Sequence, residues 1–69
     1  MKIKVNGQDK VVELKKDIAT ITETIKYLGY KPNSIVVELN NLIINSKKWD
    51  DETLRDGDKL EIVSIVGGG

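Results

Sequence analysis

Few residues of this chain are of the types that usually carry chemistry. The sequence contains no cysteine and no histidine, which removes disulfides, thiol nucleophiles, most zinc sites and the usual general base near neutral pH. The unusual feature is the end, "SIVGGG", where three glycines occupy positions 67–69. Glycine is about 7% of average composition, so chance rarely places three together at one given position. The pattern indicates that the terminus is kept free of side chains for a purpose.

Two other features could bind a ligand or a partner. Asp56-Gly57-Asp58 resembles the start of a cation site, but the tripeptide has no further spaced ligands and is more typical of a tight turn. Trp49 could anchor a partner, although a lone tryptophan in a small domain more often packs against the core. Carboxylates and lysines are present without a recognisable pair of nucleophile and base. The sequence therefore disfavours an enzyme.

Size and charge narrow the functional classes further. Sixty-nine residues allow one domain, which buries roughly 60% of the surface that the unfolded chain exposes. Eleven basic residues balance eleven acidic ones, so no net field attracts nucleic acid or an anionic membrane. The N-terminal segment lacks the apolar run of a signal peptide, and no stretch approaches the length of a membrane span. We expect a cytoplasmic protein without nucleic-acid or membrane partners.

The N-terminal half predicts a hairpin followed by a helix. "KIKV" alternates polar and apolar residues, Asn6-Gly7 is a strong hairpin signal, and "DKVVEL" is typical of the returning strand. A helix is predicted over 21–28, because Thr20 and Glu23 form a capping-box pattern and Gly29 stands at the C′ position.

The C-terminal half predicts three strands. "IVVEL" at 35–39 reads as a central strand, Asn40-Asn41 turns the chain into the shorter strand "LII", and "KLEIVSIV" forms the last strand. Between them, residues 45–58 are expected to form an irregular crossover that Trp49 and Leu54 anchor. The order predicts an α+β roll with a mixed sheet and one main helix. The predicted core consists of Ile3, Val5, Leu14, Ile18, Ile21, Ile25, Leu28, Val37, Leu60 and Ile62.

A partner-binding surface is also predicted on the sheet face away from the helix. Val63 lies on the strand face opposite Ile62, and Val36 occupies the matching face of the neighbouring strand. Together with Ile65 and Val66 they could form an exposed apolar patch, which commonly marks a partner site. The alternative is that both valines only follow β-propensity.

In this order, the elements resemble the ubiquitin-like β-grasp fold, a roll with a mixed five-stranded sheet. "ELNNLIINSKKW" and "LRDGDKLEIVSIVGGG" closely resemble the ThiS-type sulfur carriers of thiamine biosynthesis. The resemblance covers essentially the whole chain. Its main features are the early "VNG", the strand that ends in Asn40, Trp49 in the crossover, Asp56-Gly57-Asp58 and the terminal Gly68-Gly69.

The resemblance implies a carrier that acts as a co-substrate rather than an enzyme, with no cofactor or metal of its own. An E1-like, ThiF-like adenylyltransferase would bind ATP and adenylate the carboxylate of Gly69. A sulfur donor would then convert that carboxylate to a thiocarboxylate, and a ThiG-like thiazole synthase would receive the sulfur. Gly67 and Gly68 would form the tail that enters the partner's channel. This divides the chain into a β-grasp domain at 1–66 and a flexible glycine tail at 67–69.

Other members of the same fold remain alternatives. The small subunit of molybdopterin synthase and the ubiquitin-related-modifier type of sulfur carrier share the fold and the Gly-Gly end. A different class, a ubiquitin-like interaction module with no chemistry at its terminus, is also compatible with the elements. This last alternative predicts that an added C-terminal residue is harmless.

Overall fold

The computed structural model describes residues 1–14 and 18–65. Within these ranges the strands are β1 (Lys2–Val5), β2 (Gln8–Val11), β3 (Ile18–Thr20), β4 (Ile35–Leu39), β5 (Leu42–Ile44), β6 (Thr53–Arg55) and β7 (Lys59–Ser64). The helix α1 (Ile21–Leu28) lies between β3 and β4, and 3₁₀ turns occupy Pro32–Ser34 and Ser46–Lys48.

Five strands form one mixed sheet in the order β2-β1-β7-β4-β5. The N-terminal and C-terminal strands β1 and β7 are adjacent and parallel, with Val5 beside Leu60, and the other neighbours in this sheet are antiparallel. The predicted mixed five-stranded sheet with one main helix is therefore confirmed. Strand β4 has neighbours on both sides, as its apolar sequence indicated.

The helix begins and ends where its capping residues predict. The Thr20 side chain accepts a 3.0 Å hydrogen bond from the Glu23 amide, and the Glu23 side chain accepts one of 2.9 Å from the Thr20 amide. Gly29 ends the helix with φ of 87°, a left-handed conformation that glycine adopts without a Cβ penalty. These two caps satisfy amide and carbonyl groups that every helix end leaves unpaired.

The core lies between α1 and the inner face of the sheet. Seven of the predicted core residues are buried: Ile3, Val5, Ile21, Ile25, Val37, Leu60 and Ile62. Leu14 and Leu28 are partly buried and pack against this cluster. Four apolar residues that were not in the predicted core are buried as well: Val12, Ala19, Ile35 and Leu39.

Ile18 is the one predicted core residue that the structure places at the surface, with 44% of its side chain exposed. The reason is a second, two-stranded sheet of β3 and β6, which the sequence did not predict. Ala19 pairs with Leu54 in this sheet, and both are buried. Because side chains alternate along a strand, Ile18 points away from the core that Ala19 faces.

The crossover between β5 and β7 is anchored as expected and is more regular than expected. Trp49 and Leu54 are both buried, and the indole Nε1 of Trp49 donates a 3.0 Å hydrogen bond to the Ile44 carbonyl. This supports the interpretation of Trp49 as a core residue. Asn45 caps the 3₁₀ turn by accepting from the Lys47 amide.

Two strand boundaries differ from the predicted ones. The returning strand of the hairpin covers Gln8–Val11 rather than 9–14. Just beyond it, the Val12 amide donates to the Met1 carbonyl at 2.8 Å, and the N-terminal ammonium of Met1 donates to the Val12 carbonyl at 2.9 Å. The last strand ends at Ser64. Val66 and the predicted tail, Gly67 to Gly69, lie outside the described residues.

Candidate functional site

The site is built around the C-terminal end of β7, because this strand leads to the glycines. Beyond the end of β1, Asn6 continues the contact with β7. Its amide donates to the Leu60 carbonyl at 2.9 Å, and its Oδ1 accepts from the Ile62 amide at 2.7 Å. Asn6 makes both bonds from a turn conformation with φ of 52°, which asparagine tolerates better than most residues. The hairpin turn therefore fixes β7 beyond the point where strand pairing with β1 ends.

The other side of β7 pairs with β4 from Leu60 to Ser64. The register runs from Leu39 opposite Leu60 to Ile35 opposite Ser64. Just past the strand, the Ile65 amide donates a 2.7 Å hydrogen bond to the Ser34 carbonyl. The last described residue is thus attached to the turn that precedes β4, at the end of the two neighbouring interior strands β4 and β7.

The start of β7 is fixed by the turn at Asp56-Gly57-Asp58. Asp56 accepts a 2.7 Å hydrogen bond from the Lys2 amide, and Asp58 accepts bonds from the Arg55 amide and the Asn40 side chain. Gly57 has φ of 91°, as a tight turn with glycine permits. The two aspartates are used within the fold. Among residues 1–14 and 18–65, no group of three or more histidine, cysteine or acidic side chains could hold a metal ion.

Two of the four predicted partner-binding residues lie directly opposite each other. Val36 and Val63 are paired across β4 and β7 and lie on the face of the sheet opposite the buried Val37 and Ile62. Val63 is 57% exposed, whereas Val36 is half-buried. We call this pair the valine patch.

The other two predicted residues do not join the valine patch in the described structure. Ile65 is 55% exposed and borders a groove beside α1, together with Thr22, Lys26 and Trp49. This groove lies on the helix side of the sheet. Val66 lies outside the described residues, so its predicted role stays a prediction.

The face that carries the valine patch also holds residues that the sequence analysis did not select. Glu38 and Glu61 are directly opposite each other on β4 and β7, and Ile43 lies opposite Glu38 on β5. Ile43 is 69% exposed. Period-two alternation from Val36 and Val63 would have placed the two glutamates on this face. The surface therefore combines apolar side chains with two neighbouring carboxylates.

A five-stranded mixed sheet grasping one helix, with its last strand leading to terminal glycines, defines a ubiquitin-like β-grasp protein. The sequence matches the model of the ThiS family over residues 3–69. The chain belongs to the ThiS family. The resemblance to ThiS-type sulfur carriers noted in the sequence is thereby confirmed.

Individual relatives agree with this assignment. The chain is 36% identical over 67 residues to a sulfur carrier protein ThiS from Bacillus subtilis, which covers 97% of this chain and 98% of that protein. A crystal structure of the thiamine biosynthesis protein ThiS from Geobacter metallireducens matches with a TM-score of 0.85 and 30% identity over the whole of both chains.

A different kind of relative is a thiazole synthase from Paramagnetospirillum magneticum, 32% identical over 69 residues. The match covers 100% of this chain and only 20% of that protein. A region similar to this chain is therefore one part of a longer protein named thiazole synthase.

Within the described residues of the present chain, no helix has the length and apolar character needed to cross a membrane.

Proposed function

We propose that this protein carries sulfur for the formation of the thiazole ring of thiamine and that its C-terminal carboxylate is the group that carries it. The observation that supports this most strongly is the match to the ThiS family over residues 3–69, which includes the terminal glycines. The thiazole synthases that contain a similar region support thiazole synthase as the recipient of the sulfur.

The proposed chemistry takes place at Gly69 and proceeds by two displacements. In the first, a carboxylate oxygen of Gly69 attacks the α-phosphate of an ATP held by an E1-like, ThiF-like adenylyltransferase, and pyrophosphate leaves. In the second, a sulfur nucleophile at the oxidation level of hydrosulfide, supplied by the donor, attacks the acyl carbon, and AMP leaves with the electron pair of the broken C–O bond. The product is a thiocarboxylate, which a ThiG-like thiazole synthase then uses as its sulfur source.

In this proposal the protein is a co-substrate, and its folded body positions the tail without taking part in the chemistry. Gly67 and Gly68 have no side chains, so the segment fits a narrow channel and adopts backbone angles that other residues avoid. Fully extended, three residues reach about 10 Å. The hydrogen bond from the Ile65 amide to the Ser34 carbonyl attaches the chain to the folded body shortly before this segment begins. The tail can then enter a partner while the sheet stays outside.

The valine patch is the proposed docking surface for these partners. It lies on the same strand that leads to the tail, and Val63 is 57% exposed. Exposed apolar patches on small proteins are typical partner sites. A partner that covers this patch would hold the start of the tail at a fixed distance from its own active site.

The proposal is tested by the intact mass of the protein after co-expression with its native activating enzyme and sulfur donor. The expected result is a species whose mass corresponds to replacement of one oxygen by sulfur, and tandem mass spectrometry should locate the change at Gly69. Omission of the activating enzyme is the control and should leave the mass unchanged. Unmodified protein under both conditions would contradict the proposal and would favour an interaction module.

A further inference from the structure

Glu38 and Glu61 form the most unusual feature of the sheet face that carries the valine patch. They are direct cross-strand partners on β4 and β7, and both are half-buried. Within residues 1–14 and 18–65, neither carboxylate has an ion pair or a side-chain hydrogen bond. Like charges directly opposite each other in a sheet are destabilising. The register of β4 with β7 therefore places two like charges opposite each other in the free protein.

The surroundings of this pair are apolar on two sides. Val36 and Val63 form the next cross-strand pair toward the tail, and Ile43 lies beside Glu38 on β5 with 69% of its side chain exposed. A protein surface that covers the valine patch must also cover or adjoin both carboxylates. Burial without a compensating charge would be costly, so the covering surface must supply a cation.

We propose that Glu38 and Glu61 form an acidic docking site for an arginine of thiazole synthase, set within an apolar contact over the valine patch. This inference rests on the proposed function. Guanidinium is the most suitable cation because its planar fork of donors can bind two carboxylates at once and is weakly hydrated. We assign the arginine to thiazole synthase because two thiazole synthases contain a region similar to this chain. In those proteins the carrier-like region and the rest of the synthase belong to one polypeptide.

The site has an energetic signature that a structural role would not produce. If the two carboxylates repel each other in the free protein, neutralising them should stabilise the fold. If the same carboxylates bind a cation in the complex, neutralising them should weaken binding. A residue that only supports the fold would change both properties in the same direction.

The test is isothermal titration of the protein with purified thiazole synthase and, separately, with the activating enzyme, combined with thermal melting of the free protein. The double variant Glu38→Gln with Glu61→Gln should bind about tenfold more weakly, as expected for loss of a close charge pair. Its melting temperature should rise by about 1–5 °C. Glu61→Lys should bind more weakly still, because it also places a cation against the partner's arginine. Glu13→Gln, an exposed glutamate outside the sheet, is the matched control and should leave both measurements unchanged.

Three outcomes would overturn the inference: unchanged affinity of the double variant for thiazole synthase, weaker binding only to the activating enzyme, or weaker binding with a lower melting temperature. None of these would affect the mass shift at Gly69 in the wild-type protein. Failure of this docking site is therefore distinguishable from failure of the proposed sulfur-carrier function.

Discussion

The Oδ1 atom of Asn6 accepts a 2.7 Å hydrogen bond from the backbone amide of Ile62, a residue 56 positions later in the chain. The bond joins the first hairpin turn to the last strand, beyond the point where β1 stops pairing with β7. It satisfies an amide on the side of β7 that β1 no longer covers. A turn residue that local sequence explains by its backbone conformation therefore also has a long-range role.

Replacement of this asparagine separates the two roles. Asn6→Ala loses the acceptor and places alanine at a φ of 52°, so we expect a loss of about 1–3 kcal/mol in the free energy of unfolding. Asn6→Gly keeps the conformation and loses only the acceptor, and should cost less. Asn6→Asp retains an oxygen and is the matched control. Urea denaturation measures all three, and equal stability of Asn6→Ala and the wild type would contradict a structural role for the bond.

The inner face of β7 can be tested by cavity formation. Ile62 is 6% exposed, so Ile62→Ala should reduce stability by about 2–5 kcal/mol through lost burial and an incompletely closed cavity. The neighbouring Val63 is 57% exposed, and Val63→Ala should change stability by less than about 0.5 kcal/mol. Thermal melts of the two variants provide the comparison. Similar melting temperatures would show that the assignment of the two strand faces is wrong.

The outer face of the same strand can be tested by binding. Val63→Asp introduces a charge into the valine patch, where a partner would have to bury it, and should weaken partner binding by about tenfold or more. The fold should persist because the side chain is exposed. Val11→Asp is a suitable control, since Val11 is 58% exposed and lies on edge strand β2. Calorimetric titration with the activating enzyme and with thiazole synthase decides the matter, and unchanged affinity for both would leave the patch without a docking role.

The glycine tail can be tested without disturbing the folded body. Appending one alanine after Gly69, or changing Gly68 to alanine, should block or greatly slow adenylation, because either change adds a side chain where the proposed channel is narrow. Stability should hardly change, since chain ends contribute few packing contacts.

The measurement is ATP–pyrophosphate exchange with the cognate activating enzyme, with mass spectrometry to detect trimming of the added residue. Full exchange activity of the untrimmed, alanine-extended protein would rule out the carrier mechanism. A protein that only bound partners through its sheet would tolerate both changes.

The sequence predicted those elements whose signals are contained within a few neighbouring residues. The capping box at Thr20 and Glu23 and the C-terminal Gly29 fixed the bounds of α1, and both asparagines at 40 and 41 have positive φ, as their predicted turn requires. Period-two alternation correctly assigned Ile62 to the core and Val63 to the surface. The three terminal glycines and the family resemblance could likewise be recognised from the sequence alone.

Only the tertiary structure decided which distant segments pair. The sheet of β3 and β6 joins Ala19 to Leu54, and this pairing sends Ile18 outward although its apolar side chain suggested burial. The opposition of Glu38 and Glu61 depends in the same way on the register of β4 with β7. A strand pattern specifies two faces, but it does not specify the partner or the register. Those depend on how all the buried surfaces fit together, which no short window of sequence contains.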